Sequence, residues 1–84
     1  MRIEFNMIKK TEKIVITFHT TTDAMGMEEV CKRINADGRL IPVPRMISAG
    51  CGLAWCAEPE SENELKEIIR QYGIRYQDIH RCLV

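Results

Sequence analysis

The stretch Lys13–Ile34, KIVITFHTTTDAMGMEEVCKRI, carries two periodicities in succession, and the change from one to the other decides the fold. Over 13–19 the apolar positions alternate, with Ile14, Ile16 and Phe18 on one face and Val15, Thr17 and His19 on the other, which reads as a strand. Thr20, Thr21 and Thr22 then offer cap oxygens, and Asp23 places negative charge in a first helical turn. Behind them Met27, Val30, Cys31 and Ile34 recur at helical spacing, giving one buried stripe. Gly38 is expected to end that helix as a left-handed cap residue.

The pattern continues outward from this unit. Leu40–Val43 reads as a short strand at a sheet edge, because Pro42 removes a ladder donor. A loop, PRMISAGCG over 44–52, holds one thiol among small residues. Leu53–Ala57 is a third strand, broken by Glu58-Pro59-Glu60-Ser61. Ser61 or Asn63 can cap a second helix with the stripe Leu65, Ile68, Ile69, Tyr72, and the acidic run Glu58, Glu60, Glu62, Glu64 suits a helix start. Gly73 stops it, and a last strand is expected around Arg75–Ile79. The order β-α-β-β-α-β, with right-handed crossovers, predicts an α+β, ferredoxin-like fold: a four-stranded antiparallel sheet with two helices on one face. Residues 1–12 read as an N-terminal leader, prone to fray and with Met7 as an alternative start, and residues 13–84 as a single domain.

Composition narrows the function classes. Eighty-four residues suffice for one domain. Twelve basic and twelve acidic side chains cancel, which speaks against nucleic acid, since phosphate binding draws on a basic surplus or stripe. No apolar stretch approaches the ~20 residues of a membrane span, and the charged start lacks the apolar core of a secretion signal. The expected setting is cytoplasmic, where thiols stay reduced. Cys31, Cys51, Cys56 and Cys82 form no C-x-x-C pair and have no H-x-x-x-H partner, so no metal site and no cofactor are predicted.

Topology then sorts the cysteines. In the 4-1-3-2 strand order, strand three runs antiparallel beside strand one, so Cys51 and Gly52 are expected near His19 and the start of the first helix. Gly50 and Gly52 free the backbone there, so that N–H groups can face an anion. Arg45, the helix start at Thr20 and Thr21, and His19 would each favour thiolate over thiol. The plainer alternative is a tight Gly-Cys-Gly turn into a strand. Cys31 belongs to the helical stripe and reads as core. Cys56 is about 16 Å along an extended strand from Cys51 and on the opposite face, and Cys82 falls in a C-terminal tail. No second thiol is placed to resolve Cys51, which argues against a dithiol oxidoreductase. Met46 and Ile47 either fold onto the core or form a docking spot.

Two segments resemble a family of small bacterial and archaeal selenium/sulfur carrier-like proteins. Phe18-His19-Thr20-Thr21, with Ala24-Met25 and Glu28, is similar to the family opening F-x-S-T-x-x-A-L-x-x-E. Ile41-Pro42-Val43-Pro44-Arg45, with Ile47-Ser48 and Cys51-Gly52-Leu53-Ala54, is similar to its IPVPR-x-IS-x-x-CG-[LI]-A signature. The resemblance spans roughly residues 13–80 and implies that Cys51 is the carrier thiol, with Arg45 in the same loop. Met46 stands where an acidic residue is common in the family, and Ala49-Gly50 where serines are common.

The leading expectation is a single-thiol carrier that takes sulfane sulfur or zero-valent selenium on Cys51. Its partners would be a donor such as a cysteine desulfurase and an acceptor enzyme, and it would be a carrier or binding protein more than a turnover enzyme. The catalytic residue is Cys51, and Arg45, Gly50, Gly52, His19, Thr20 and Thr21 are its candidate binding residues. The rival expectation is a regulatory or interaction module, a homodimer through the sheet or a ligand-binding domain, in which Cys51 is structural. A third, weaker one is metal delivery by Cys51 with His19, which the missing second thiol disfavours.

Overall fold

The computed structural model describes residues 11–47 and 50–84; of the leader expected over residues 1–12, residues 1–10 lie outside the described residues. The elements run β1 (Glu12–Thr17), α1 (Thr21–Ile34), β2 (Arg39–Pro42), β3 (Leu53–Ala57), α2 (Glu62–Tyr72) and β4 (Asp78–Leu83). All strand pairs are antiparallel, in the order β2-β3-β1-β4, so that β2 and β4 are the edges. Pro42 accordingly sits on an edge strand, where its missing N–H costs little. The fold is α+β, with four antiparallel strands and two helices.

Thr20 opens α1 as its sequence suggests. Its backbone is extended, and its hydroxyl oxygen accepts the Asp23 N–H at 3.1 Å. The helix ends earlier than expected. Asn35, at φ 61°, takes the left-handed position, and Ala36 N–H donates to the Cys31 carbonyl at 2.8 Å. Gly38 does other work at φ +123°: a Cβ there would lie 2.2 Å from Trp55 Nε1, so the chain can pass under the indole only as glycine. Trp55 Nε1 donates to the Asp37 carbonyl at 3.1 Å, and the Asp37 carboxylate accepts from Glu58 N–H and the Ser61 hydroxyl. Ser61 therefore precedes α2 without capping it; a short 3₁₀ turn over Pro59–Ser61 leads the chain in.

The core packs Ile14, Ile16 and Phe18 of β1 and its continuation against Trp55 and Ala57, under Ala24, Met27 and Cys31 of α1 and Leu65, Ile68 and Ile69 of α2. The α1 stripe is shifted toward the helix start: Ala24 is buried, Val30 is marginal and Ile34 is exposed. Val15, Thr17, Ala54 and Cys56, on the other sheet face, are also buried. β4 begins three residues later than expected and runs to Leu83. Gly73 lets Ile74 N–H return to the Ile69 carbonyl, and the chain rejoins the sheet only where Gln77 N–H meets the Thr17 carbonyl at 2.7 Å. Cys82 consequently lies in β4 opposite Lys13, not in a tail. Thr11 and Glu12 also join the sheet, Thr11 by paired backbone hydrogen bonds with Val84. Among the described residues, no helix is long and apolar enough to cross a membrane.

Candidate functional site

The loop between β2 and β3 is built by three local constraints. The ladder continues one step beyond β2, with Val43 N–H donating to the Gly52 carbonyl at 3.0 Å. Pro44 then starts a turn closed by Ile47 N–H on the Pro44 carbonyl at 2.9 Å, which leaves Arg45 and Met46 exposed at its corner. Gly52, at φ +80°, turns the returning chain into β3 in a conformation side chains rarely adopt.

Between these constraints Cys51 is half-buried and rests against the edge of the core. Among the described residues its sulfur has backbone partners on Leu53 alone: Leu53 N–H donates to Sγ at 3.4 Å, and Sγ lies 3.5 Å from the Leu53 carbonyl, to which a thiol proton can be donated. Register carries this loop to the end of β1. Thr17 pairs with Ala54, and Gly50 lies so close to His19 that a Cβ there would sit 3.0 Å from the His19 carbonyl. Gly50 N–H also donates to Gln77 Oε1 at 3.3 Å. Gln77 thereby clamps the loop to the entry of β4.

The structure thus brings Gly50, Cys51, Gly52 and the His19 backbone to one end of the sheet. It does not join the other expected residues to the sulfur. The Thr20 hydroxyl is committed to Asp23, and His19, Thr21 and Arg45 are exposed. Among the described residues, none of these four side chains hydrogen-bonds Cys51, and Arg45 makes no ion pair. Gln77 escapes sequence reading because 75–79 is read as strand, where a side chain has no loop to hold. Its role depends on β4 beginning only at Asp78, which the apolar spacing does not mark.

The other thiols occupy different environments. Burial in α1, with the Glu64 carboxylate adding repulsion, pushes the Cys31 thiol up to about 11. Burial also raises Cys56, partly offset by the cations of Arg39 and Lys13, and raises Cys82. All four cysteines are free, and no group of three or more His, Cys, Asp or Glu among the described residues could hold a metal ion.

The α+β domain thus sets a half-exposed thiol on a glycine-bounded loop at one end of its sheet. The chain is a member of the family described as "Putative Se/S carrier protein-like", whose model matches residues 13–81. No curated protein and no solved structure matches it.

Proposed function

We propose that the protein carries sulfur, or selenium, as a persulfide or selenopersulfide on Cys51, between a donor such as a cysteine desulfurase and an acceptor enzyme in the cytoplasm. In the loading step the Cys51 thiolate attacks the terminal sulfur of the donor's Cys–S–S⁻. A new S–S bond forms on Cys51, the donor's S–S bond breaks, and the donor leaves as its thiolate, so charge and electron count are unchanged. Transfer to the acceptor repeats the exchange. The observation that carries this reading is the placement of Cys51: half-exposed on a loop between two glycines, in a chain of the carrier-like family, while Cys31 and Cys56 are buried. In this reading Arg45 is the cation of the same loop, and the His19 backbone packs against Gly50 beside the thiol. The order β4-β1-β3-β2, read from the β4 edge, supports assigning the domain to the ferredoxin-like class. Incubation with a cysteine desulfurase and free cysteine should load one sulfur atom per chain on the wild type and none on Cys51→Ser. Equal loading of the two would sink the proposal.

A second reading, an interaction module with a structural Cys51, is favoured by one feature: among the described residues the sulfur's hydrogen-bond contacts go to the Leu53 backbone, as in a side chain that fastens a turn. It predicts dimerisation or ligand-induced stabilisation that survives Cys51→Ser unchanged.

A further inference from the structure

Met46 and Leu83 are the two most exposed large apolar side chains among the described residues, at 65% and 58%. They come from the two opposite edges of the fold, one from the loop after β2 and one from β4, yet they line the same groove of about 400 Å³ together with Pro42, Pro44 and Arg45. A single exposed apolar residue calls for no explanation, whereas two converging in one concavity mark a contact surface. Three features define what fits. Pro42 offers no N–H at the sheet edge, so an occupant is held by side chains and not by extension of the ladder. Methionine adapts its shape to an incoming apolar group. Arg45, exposed at the rim and without an ion pair among the described residues, favours a carboxylate and disfavours a cation. The groove also adjoins the thiol loop, because Val43 pairs with Gly52, the residue after Cys51.

We propose that this groove docks an extended segment of the sulfur-donating protein that presents an apolar side chain beside a carboxylate, holding the donor persulfide at Cys51 during transfer. The inference rests on the carrier reading. Docking and chemistry then separate: the groove serves a protein donor and is idle when the donor is inorganic polysulfide, which reaches Cys51 by diffusion alone.

The test compares rates of Cys51 loading by a persulfide-charged cysteine desulfurase and by inorganic polysulfide, for wild type, Met46→Glu, Leu83→Glu and Met46→Lys. Met46→Glu and Leu83→Glu should each slow loading by the desulfurase about tenfold or more, the loss of a modest contact hot spot, with polysulfide loading unchanged. Met46→Lys, which keeps the groove cationic, should slow it less than Met46→Glu. Desulfurase loading within about twofold of wild type for both glutamate variants overturns the proposal, as does an equal loss with both donors or an equal effect of Met46→Lys and Met46→Glu. A wild type that sediments as a dimer, with Met46→Glu a monomer that loads at wild-type rate, would assign the groove to a second copy and overturn it too. If neither donor loads the wild type, the carrier reading itself fails and this inference falls with it.

Discussion

Gly50 and Gly52 flank the thiol for different physical reasons, and substitution separates them. Among the described residues nothing crowds Gly52, which stands at φ +80°, so Gly52→Ala should cost about 1 kcal/mol of strain in a denaturant titration. At Gly50 the obstacle is the His19 carbonyl, 3.0 Å from where a Cβ would stand. Gly50→Ala should therefore displace the loop by a few tenths of an ångström, and it should read mainly as a changed rate of Cys51 alkylation with little loss of stability. Alkylation of the native protein near neutral pH should label Cys51 well ahead of Cys31, whose thiol is buried and pushed up to about 11; equal rates for the two would contradict the placement. Both glycines and the neighbourhood of His19 were legible in the sequence, because strand direction alone brings the start of strand three to the end of strand one. Gln77 was not, since its role depends on where β4 truly begins.

The Asp37–Gly38 turn ties the end of α1 to β3 and to the entry of α2. Glycine is the commonest left-handed terminator, which points to Gly38 as the end of α1, but Asn35 also tolerates that conformation and comes first. Released from capping, Gly38 admits the Trp55 indole. Gly38→Ala should lose about 3 kcal/mol, since it meets the indole and the Cys56 carbonyl in a conformation already unfavourable to alanine. Asp37→Ala leaves the indole hydrogen bond, made to a backbone carbonyl, and removes the acceptor for Glu58 N–H and the Ser61 hydroxyl. It should cost about 1–2 kcal/mol and loosen the entry to α2, visible as faster amide exchange over residues 58–62. Element type and order could be read from apolar spacing. The exact ends could not, because they are set by which residue wins a local hydrogen bond.

For the whole molecule, burial of thiols makes stability fall as the pH becomes alkaline. Cys31 keeps its proton in the folded chain up to about 11 against an ordinary value of 9.0. The unfolded chain gives up that proton first, so its contribution is intact below about pH 9 and is lost as pH rises toward 11. Over that interval the folded state should weaken by about 3 kcal/mol from this group, with the raised thiols of Cys56 and Cys82 acting in the same direction. In Cys31→Ala the decline in denaturation midpoint over the same interval should be shallower; parallel curves for the two proteins would contradict the burial argument. The central claim, that Cys51 is the thiol that accepts the transferred atom, is tested most directly by locating the added sulfur. Wild-type protein would be loaded by a cysteine desulfurase, the persulfide trapped by alkylation, and all four cysteine-containing peptides quantified by mass. Added sulfur confined to the peptide carrying Cys51 is the predicted result; sulfur spread evenly over Cys51 and Cys82, or absent from Cys51, would contradict it.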